Sequence, residues 1–341
     1  MRSVLYTDPP WLIRDGQPDP SLAEAERGVF GGDVQLRFGP YHAGRYELAG
    51  PALYERARGC EVLAIYRCTV TPELLDTVSG QLKAVVRQGV GTDNLNAGLL
   101  AERGIEAFHV PDYCVDEVST HTAALALALE RRLIPQHQTL TGGRFDIYAG
   151  GVPHRVSGRR LGIVGFGRIG RAVARKLGVF YDEVEVYDPY LGSDLPAGYG
   201  ARAVATLDEL LERAHLVTLH CPLTRETDGL VDAEALRRMR PDAWLVNAAR
   251  GRLVDPVALH RALDEGWIAG AALDVFAPED PHDDPRWTPV LAHPALVATC
   301  HRAFLSVEAE ASSRRRVAEM VRDILDGRTP RTGRVIPEEQ P

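Results

Sequence analysis

The chain contains 341 residues, of which 45% are hydrophobic and 25% are charged, and it carries a formal net charge of −8. A chain of this length is expected to form two domains, and this composition is typical of a soluble globular protein. The acidic balance argues against a general binder of nucleic acid or of membrane surfaces, since such proteins are usually basic.

The cysteines and the start of the chain indicate the compartment. Five scattered cysteines, without paired or zinc-type spacing, favour a reducing environment and predict no metal site. No apolar run is long enough to span a bilayer, and the first residues lack the core of a signal peptide. We therefore expect a cytoplasmic protein.

From Ser3 to about Val110, short β-like runs alternate with helical ones. The clearest strands are 34–38, 62–65, 82–86 and 105–108, and helices are predicted over 72–78 and 96–103. Alternation of this kind predicts a parallel sheet with crossover helices.

A long apolar segment, 116–133, follows this first part of the chain. It is too short and too rich in small residues to span a membrane. The pattern instead predicts a buried helix at a domain or subunit interface.

The rhythm of strands and helices restarts at Leu161. Further strands are predicted over 184–187, 216–219, 243–247, 271–275 and 296–299, with helices over 207–213 and 256–265 and a last helix over 306–326. This second alternation predicts a second parallel sheet.

A glycine pattern, Gly165-Phe166-Gly167-Arg168-Ile169-Gly170, stands between the apolar run 161–164 and a helix predicted over 171–179. Asp188 then closes the next β-like run. A strand, a glycine turn, a helix and an acidic residue form the dinucleotide fingerprint.

Each part of the fingerprint has a physical task. Gly165, Gly167 and Gly170 allow the tight turn, the approach of backbone to pyrophosphate and close helix–strand packing. Backbone N–H groups of Arg168 and Ile169 are expected to bind the phosphates. Asp188 is expected to accept hydrogen bonds from the adenosine ribose, which favours NAD over NADP.

Several motifs in order resemble the D-isomer-specific 2-hydroxyacid dehydrogenases over nearly the whole chain. They are Gly89-Val90-Gly91-Thr92-Asp93-Asn94, the glycine pattern at 165–170, His220-Cys221-Pro222-Leu223-Thr224, Val246-Asn247-Ala248-Ala249-Arg250-Gly251, Leu273-Asp274-Val275-Phe276-Ala277-Pro278-Glu279 and His301. The pieces Tyr66-Arg67, Arg87-Gln88-Gly89 and His301-Arg302-Ala303-Phe304 resemble most the branch that includes the C-terminal-binding proteins.

The resemblance and the central glycine pattern together imply an α/β fold of two Rossmann-like or flavodoxin-like parallel-sheet domains separated by a cleft. The NAD-binding domain, 114–306, is inserted into a substrate-binding domain made of 1–113 and 307–341. The resemblance also implies a homodimer through the NAD-binding domain, using the helix near 117–133 and neighbouring segments.

The resemblance implies a catalytic triad of Arg250, Glu279 and His301. Reduction of a 2-oxo acid needs a proton at the carbonyl oxygen, and His301 is expected to donate it, since imidazole titrates near neutral pH. Glu279 is expected to hold the ring and favour its protonated form. Arg250 is expected to bind the substrate carboxylate and polarise the carbonyl.

Further site residues are implied only by the resemblance. Cys221, Thr227 and Ala248 are expected to line the cofactor site, and Asp274 to contact the nicotinamide carboxamide. The substrate is expected to contact Tyr66, Arg67, Arg87, Phe304 and the backbone of Gly89, Val90 and Gly91.

One departure from the family pattern surrounds the proton donor, where the chain has Cys300-His301-Arg302. If Arg302 points inward, its charge opposes protonation of His301; alternatively it points to solvent or to a cofactor phosphate, and both alternatives stay open. Together with Arg67 and Arg87, Arg302 suggests a small anionic substrate with a second anionic group, such as a dicarboxylate, phosphate or phosphonate.

The predicted function is therefore an NAD-dependent oxidoreductase that interconverts a 2-oxo acid and a D-2-hydroxy acid. The alternative is an NAD(H)-sensing scaffold with little turnover, as in the C-terminal-binding proteins. The intact triad favours the enzyme.

Overall fold

The computed structural model describes residues 2–78, 80–191 and 198–336. The last part of the predicted substrate-binding domain, 337–341, lies outside the described residues. The chain divides into two compact units, Met1–Tyr113 with Ser306–Pro341, and Cys114–Leu305. They are named the terminal unit and the central unit.

The terminal unit is built on a five-stranded parallel sheet. Its strands are β1 (Arg2–Tyr6), β2 (Val34–Phe38), β3 (Val62–Ile65), β4 (Ala84–Arg87) and β5 (Glu106–His109). Their order is β2-β1-β3-β4-β5, which is the flavodoxin-like order.

Helices cover both faces of this sheet. They are α1 (Glu24–Phe30), α2 (Pro51–Ala57), α3 (Pro72–Thr77), α4 (Ala97–Glu102) and the C-terminal helix (Val307–Leu325). Apolar side chains of α1 and the C-terminal helix pack on one face of the sheet, and those of α2, α3 and α4 pack on the other. Two small hairpins, Ile13–Arg14 with Gln17–Pro18 and Tyr41–His42 with Arg45–Tyr46, complete the unit.

The central unit is built on a seven-stranded parallel sheet. Its strands are β6 (Arg160–Val164), β7 (Glu183–Tyr187), β8 (Ala201–Ala203), β9 (Leu216–Leu219), β10 (Trp244–Asn247), β11 (Gly270–Leu273) and β12 (Leu296–Ala298). Their order is β8-β7-β6-β9-β10-β11-β12. Successive strands are added on one side of β6 up to β8 and on the other side from β9 onward, so the chain order switches between β6 and β9. Such a switch point is where open α/β sheets bind ligands.

The α-helices of the central unit are α5 (Val115–Glu130), α6 (Leu133–Thr141), α7 (Arg168–Leu177), α8 (Leu207–Arg213), α9 (Ala233–Arg238), α10 (Pro256–Asp264) and α11 (Thr288–Leu291). Among the residues that the structure describes, short 3-10 helices lie at Pro10–Leu12, Pro20–Ala23, Val156–Gly158, Gly178–Phe180, Gly251–Leu253, Pro281–Asp283 and Pro285–Trp287. The two parallel sheets with crossover helices confirm the predicted α/β class.

Two predicted helices differ from the structure by more than one residue at an end. The helix of the glycine pattern begins at Arg168 rather than Arg171, because Gly167 is its N-cap. The helix predicted over 116–133 ends at Glu130, since Arg132 adopts a left-handed conformation with φ of 56°. The Arg132 guanidinium lies 4.2 Å from the Trp244 ring centroid, a cation–π contact that no local pattern reveals.

Among the described residues, no helix combines the length and the apolar character needed to cross a membrane.

Candidate active site

The glycine turn at the end of β6 has the geometry that a dinucleotide site needs. Gly165 has φ of 89°, and a Cβ there would lie 2.6 Å from the backbone nitrogen of Cys221. A Cβ at Gly170 would lie 2.2 Å from the carbonyl oxygen of Gly165. Both positions therefore require glycine, because the turn and the helix behind it pack backbone against backbone.

The N-terminus of α7 offers a site for an anion. Its N-cap, Gly167, supplies no side-chain cap, so the amides of the first turn, including those of Arg168 and Ile169, are available. A Cβ at Gly167 would meet nothing within 4 Å, which leaves space beside these amides. An open helix N-terminus at the switch point fits the pyrophosphate of a dinucleotide.

Asp188, directly after β7, lies beside this turn. Its Oδ2 accepts the backbone N–H of Phe166 at 2.7 Å, and its Oδ1 accepts the N–H of Tyr190 at 3.0 Å. The carboxylate is partly exposed, so it both holds the glycine turn and can accept hydrogen bonds from ribose hydroxyls.

Three further residues predicted to line the cofactor site lie on loops that follow strands of the same sheet. Cys221 and Thr227 follow β9 and are partly buried, and Ala248 directly follows β10 and is buried. Burial raises the pKa of the Cys221 thiol to about 11, so the sulfur is protonated at neutral pH. This supports a packing role for Cys221 rather than a nucleophilic one.

His301 and Glu279 form a pair. The Nδ1 atom of His301 lies 2.7 Å from Oε1 of Glu279, and the ring is partly exposed. Within the described part of the chain, nothing is hydrogen-bonded to Nε2 of His301. An imidazole held by a carboxylate on one nitrogen, with the other nitrogen available, is suited to proton transfer.

Phe304 stands beside this pair. Its ring is edge-to-face with the His301 ring, with centroids 6.1 Å apart and an interplanar angle of 87°. The contact fixes one side of the imidazole and provides an apolar wall next to it.

Asp274 holds the backbone that carries His301. Its carboxylate is fully buried and accepts hydrogen bonds from Thr299 Oγ1 at 2.5 Å, Arg302 N at 3.0 Å and Ala303 N at 2.8 Å. Its carbonyl oxygen accepts the N–H of His301 at 2.7 Å. His301 has φ of 47°, which a non-glycine residue adopts only when its surroundings impose it.

The ionised state of Asp274 suits this structural task. Burial alone would raise the pKa of Asp274, but hydrogen bonds from His121, Thr299 and the loop amides bring it below its usual value. No sequence pattern indicated this role of Asp274. The contact of Asp274 with a nicotinamide carboxamide stays a prediction.

Arg250 lies on the loop after β10, next to the strand that precedes Glu279. Asn247 shapes this loop, since its amide donates to the Arg250 carbonyl at 2.8 Å and its Oδ1 accepts the N–H of Ala249 at 3.0 Å. A Cβ at Gly251 would lie 2.1 Å from the carbonyl carbon of Phe276, so the two loops touch backbone to backbone. The triad residues therefore follow three neighbouring strands, β10, β11 and β12.

The predicted substrate residues of the terminal unit also gather at the carboxyl ends of neighbouring strands. Tyr66 and Arg67 follow β3, and Arg87 ends β4. The Arg87 guanidinium lies 5.9 Å from the Tyr66 ring centroid and covers Gly89. The Val90 carbonyl, which precedes Gly91, lies 2.7 Å from Nδ1 of His109.

Arg302 differs from the other predicted arginines. Its side chain is exposed, and among the described residues it forms no hydrogen bond or ion pair. Its backbone alone is bound, since the N–H donates to Asp274 and the carbonyl accepts the N–H of Leu305 at 2.9 Å. Its placement in a substrate site stays a prediction.

Comparisons with known proteins place this geometry in context. A profile described as "D-isomer specific 2-hydroxyacid dehydrogenase, NAD binding domain" matches residues 123–303. The chain is 34% identical over 277 residues to D-3-phosphoglycerate dehydrogenase of Methanocaldococcus jannaschii, covering 81% of this chain and 52% of that protein. The chain is 36% identical over 261 residues to the D-3-phosphoglycerate dehydrogenase of Mycobacterium leprae, covering 76% of this chain and 48% of that protein.

The chain thus spans about half the length of the curated relatives it matches. Among solved structures, D-lactate dehydrogenase of Aquifex aeolicus, complexed with NAD and lactic acid, superposes with a TM-score of 0.83. The two are 25% identical, and the superposition covers 96% of each chain.

Proposed function

The chain belongs to the D-isomer-specific 2-hydroxyacid dehydrogenase family, and from this premise we propose that it is an NAD-dependent oxidoreductase interconverting a 2-oxo acid and a D-2-hydroxy acid. The observation that carries the proposal is the His301–Glu279 pair, with its 2.7 Å contact. A site that only stored a cofactor would not need an oriented proton donor.

Each residue of the predicted triad has a separate task in the proposed reduction of the 2-oxo acid. NADH, when bound, supplies the hydride that the carbonyl carbon accepts. Nε2 of His301 donates the proton to the carbonyl oxygen, and Glu279 stabilises the charged ring through Nδ1. Arg250 binds the substrate carboxylate with two N–H groups and orients the carbonyl. In the opposite direction His301 accepts the proton of the hydroxyl group.

The cofactor is NAD because of the residue at the end of β7. Asp188 would repel the 2′-phosphate of NADP, whereas it can accept hydrogen bonds from the two ribose hydroxyls of NAD. The amides at the start of α7 would hold the pyrophosphate. We therefore assign the central unit as the NAD-binding domain and the terminal unit as the substrate-binding domain.

The substrate carries a second anionic group in this proposal. Arg67 and Arg87 lie together at the carboxyl edge of the terminal sheet, where guanidinium groups can bind a carboxylate or phosphate. The curated relatives named above are D-3-phosphoglycerate dehydrogenases, whose name gives a substrate with a carboxylate and a phosphate. A 2-oxo acid with an additional carboxylate, phosphate or phosphonate fits both observations.

The test is NADH oxidation with a panel of 2-oxo acids that includes monoacids, dicarboxylates and phosphorylated acids. We expect turnover, faster with a second anionic group than without it, and weaker turnover with NADPH than with NADH. If no acid reacts while NADH binds tightly and controls self-association, the NAD(H)-sensing scaffold replaces the enzyme. Equal rates for monoacids and diacids, unchanged in Arg67→Ala, would reject the second anionic group.

The homodimer is proposed from an apolar surface on the central unit. The apolar segment 133–152, formed by α6 and the loop after it, exposes Leu133, Leu140, Phe145, Ile147, Tyr148 and Val152. Phe145 is 87% exposed and Ile147 is 67% exposed. A cluster of large apolar side chains in contact with water is typical of a protein–protein interface, and a second copy of the chain is its proposed partner.

Replacing Phe145 and Ile147 together with aspartate is expected to convert the dimer to a monomer, because two buried charges per subunit are costly at an apolar interface. Sedimentation velocity measures the change. Val179→Asp is the matched control, since Val179 is 77% exposed on the same unit but lies outside the segment. A wild-type monomer, or a double variant that stays dimeric, would contradict the assignment.

Five free thiols, among them the exposed Cys300, support a reducing, cytoplasmic compartment in this proposal.

A further inference from the structure

The loop Tyr66–Cys68, directly after β3, has its backbone N–H groups bound to a single buried carboxylate. Oδ2 of Asp8 accepts the N–H of Arg67 at 2.7 Å, and Oδ1 accepts those of Tyr66 at 3.1 Å and Cys68 at 3.4 Å. The Asp8 side chain is 0% exposed. Three consecutive amides on one charged acceptor fix the backbone of the loop.

The carbonyl groups of the same loop are bound by a second side chain. The amide nitrogen of Asn94 donates to the carbonyl of Tyr66 at 3.1 Å and to that of Cys68 at 2.9 Å. Asp8 follows β1, whereas Asn94 follows β4 by several residues. Two side chains from different segments therefore hold the loop, one through its donors and one through its acceptors.

This arrangement determines how Arg67 is presented. Its Nε lies 3.5 Å from Oδ2 of Asp8, and its side chain is 36% exposed. Across the described ranges, the Arg67 side chain has no other ion pair and no hydrogen bond, so its two terminal nitrogens are available. An arginine fixed through its backbone, with Nε held near the same carboxylate by charge alone, loses less conformational freedom when its terminal nitrogens bind an anion.

We propose that Asp8 and Asn94 are positioning residues that set the specificity for the second anionic group by fixing the loop 66–68 and orienting Arg67. The proposal rests on the proposed function, because it names the residues behind one part of the substrate preference. Asp8 and Asn94 themselves need not touch the substrate.

The test compares two acids of equal chain length, 2-oxoglutarate and 2-oxopentanoate, which differ by a carboxylate in place of a methyl group. We expect Asp8→Asn and Asn94→Ala each to lower the ratio of their kcat/KM values by about tenfold or more, since placement errors of about an ångström weaken catalysis strongly. The change should arise in KM for 2-oxoglutarate, with 2-oxopentanoate little affected.

Variants in an Arg67→Met background separate positioning from general stability. If Asp8 and Asn94 act through Arg67, neither substitution lowers the ratio further in that background. Glu26→Gln is the matched control, because Glu26 is also a fully buried carboxylate paired with an arginine of the terminal unit, Arg314, at 2.8 Å. It should lower the melting temperature and leave the ratio unchanged.

Hydrogen exchange gives a readout that does not depend on turnover. Peptides covering 66–68 should exchange faster in Asp8→Asn and in Asn94→Ala than in the wild type, and not in Glu26→Gln. Equal losses for both acids, a ratio that falls again in the Arg67→Met background, or unchanged exchange would overturn the proposal.

If the wild type reduces neither of these two acids, the proposed function is judged separately, on the full panel of 2-oxo acids. The same ratio is then measured as calorimetric affinities for the two acids in the presence of NADH. Equal wild-type affinities would overturn the positioning proposal as well, whereas tighter binding of 2-oxoglutarate that is lost in both variants would support it.

Discussion

Substitution of His301 by glutamine is expected to lower kcat by about 10²–10⁴-fold while NADH binding is retained. Glutamine fills a similar volume and can still hydrogen-bond Glu279, but it cannot donate a proton to the carbonyl oxygen. The loss should appear in kcat rather than in KM, because the proton moves only in the transition state. Stopped-flow and steady-state NADH oxidation measure the two constants.

The chain offers a matched control for this variant. His282 also pairs with a carboxylate, since its Nδ1 lies 2.8 Å from Oδ1 of Asp280, but both side chains are exposed outside the triad. His282→Gln is expected to leave kcat within about twofold of the wild-type value, because an exposed ion pair contributes little free energy. If His301→Gln keeps wild-type turnover, His301 is not the proton donor and the proposed mechanism is wrong.

Arg250→Lys is expected to lower kcat/KM for every 2-oxo acid by about 10²–10³-fold, the range seen when one transition-state donor is removed. Lysine keeps the positive charge but cannot bind a carboxylate with two parallel N–H groups. In the structure, Nη1 of Arg250 donates to the carbonyl of Ala249 at 2.7 Å, and this contact holds the guanidinium in one direction. Lysine would lose that anchoring too.

Arg252→Lys serves as the control two residues further along the chain. Arg252 is exposed and pairs with Asp228, and its Nε donates to Oδ1 at 3.1 Å. We expect no more than about a twofold change in kcat/KM, because a lysine can form a similar exposed pair. Similar losses in Arg250→Lys and Arg252→Lys would mean that the loop, rather than the Arg250 guanidinium, is sensitive.

The family and the α/β class were predictable because their signals are local. The strand Val62–Ile65 is a continuous apolar run, and Leu216–Leu219 is apolar except for Thr218; both are fully buried, as parallel strands covered on two faces must be. The glycine pattern and Asp188 lie within one strand–helix–strand unit, so their spacing along the chain already describes their spacing in space.

The supporting residues of the site could not be predicted in the same way. Asp8 binds amides 58 to 60 residues away in the sequence. Asp274 binds the amides of Arg302 and Ala303 across a strand connection. No local sequence feature shows whether a single aspartate after a strand is a buried hydrogen-bond acceptor or an exposed side chain. The left-handed conformation of His301 likewise has no signal in the sequence.

Arg67 and Arg302 show which properties of the site follow from the sequence and which depend on the tertiary structure. From the order of residues alone, both Arg67 and Arg302 were candidates for binding a second anionic group, with the direction of Arg302 left open. The glycine pattern, the predicted triad and the expected preference for NAD also came from the sequence. Only the folded chain separates the two arginines, because Arg67 is anchored by Asp8 whereas the Arg302 side chain is exposed. The partner of a side chain depends on which strands become neighbours, and the order β2-β1-β3-β4-β5 brings Asp8 beside the loop 66–68 through long-range packing.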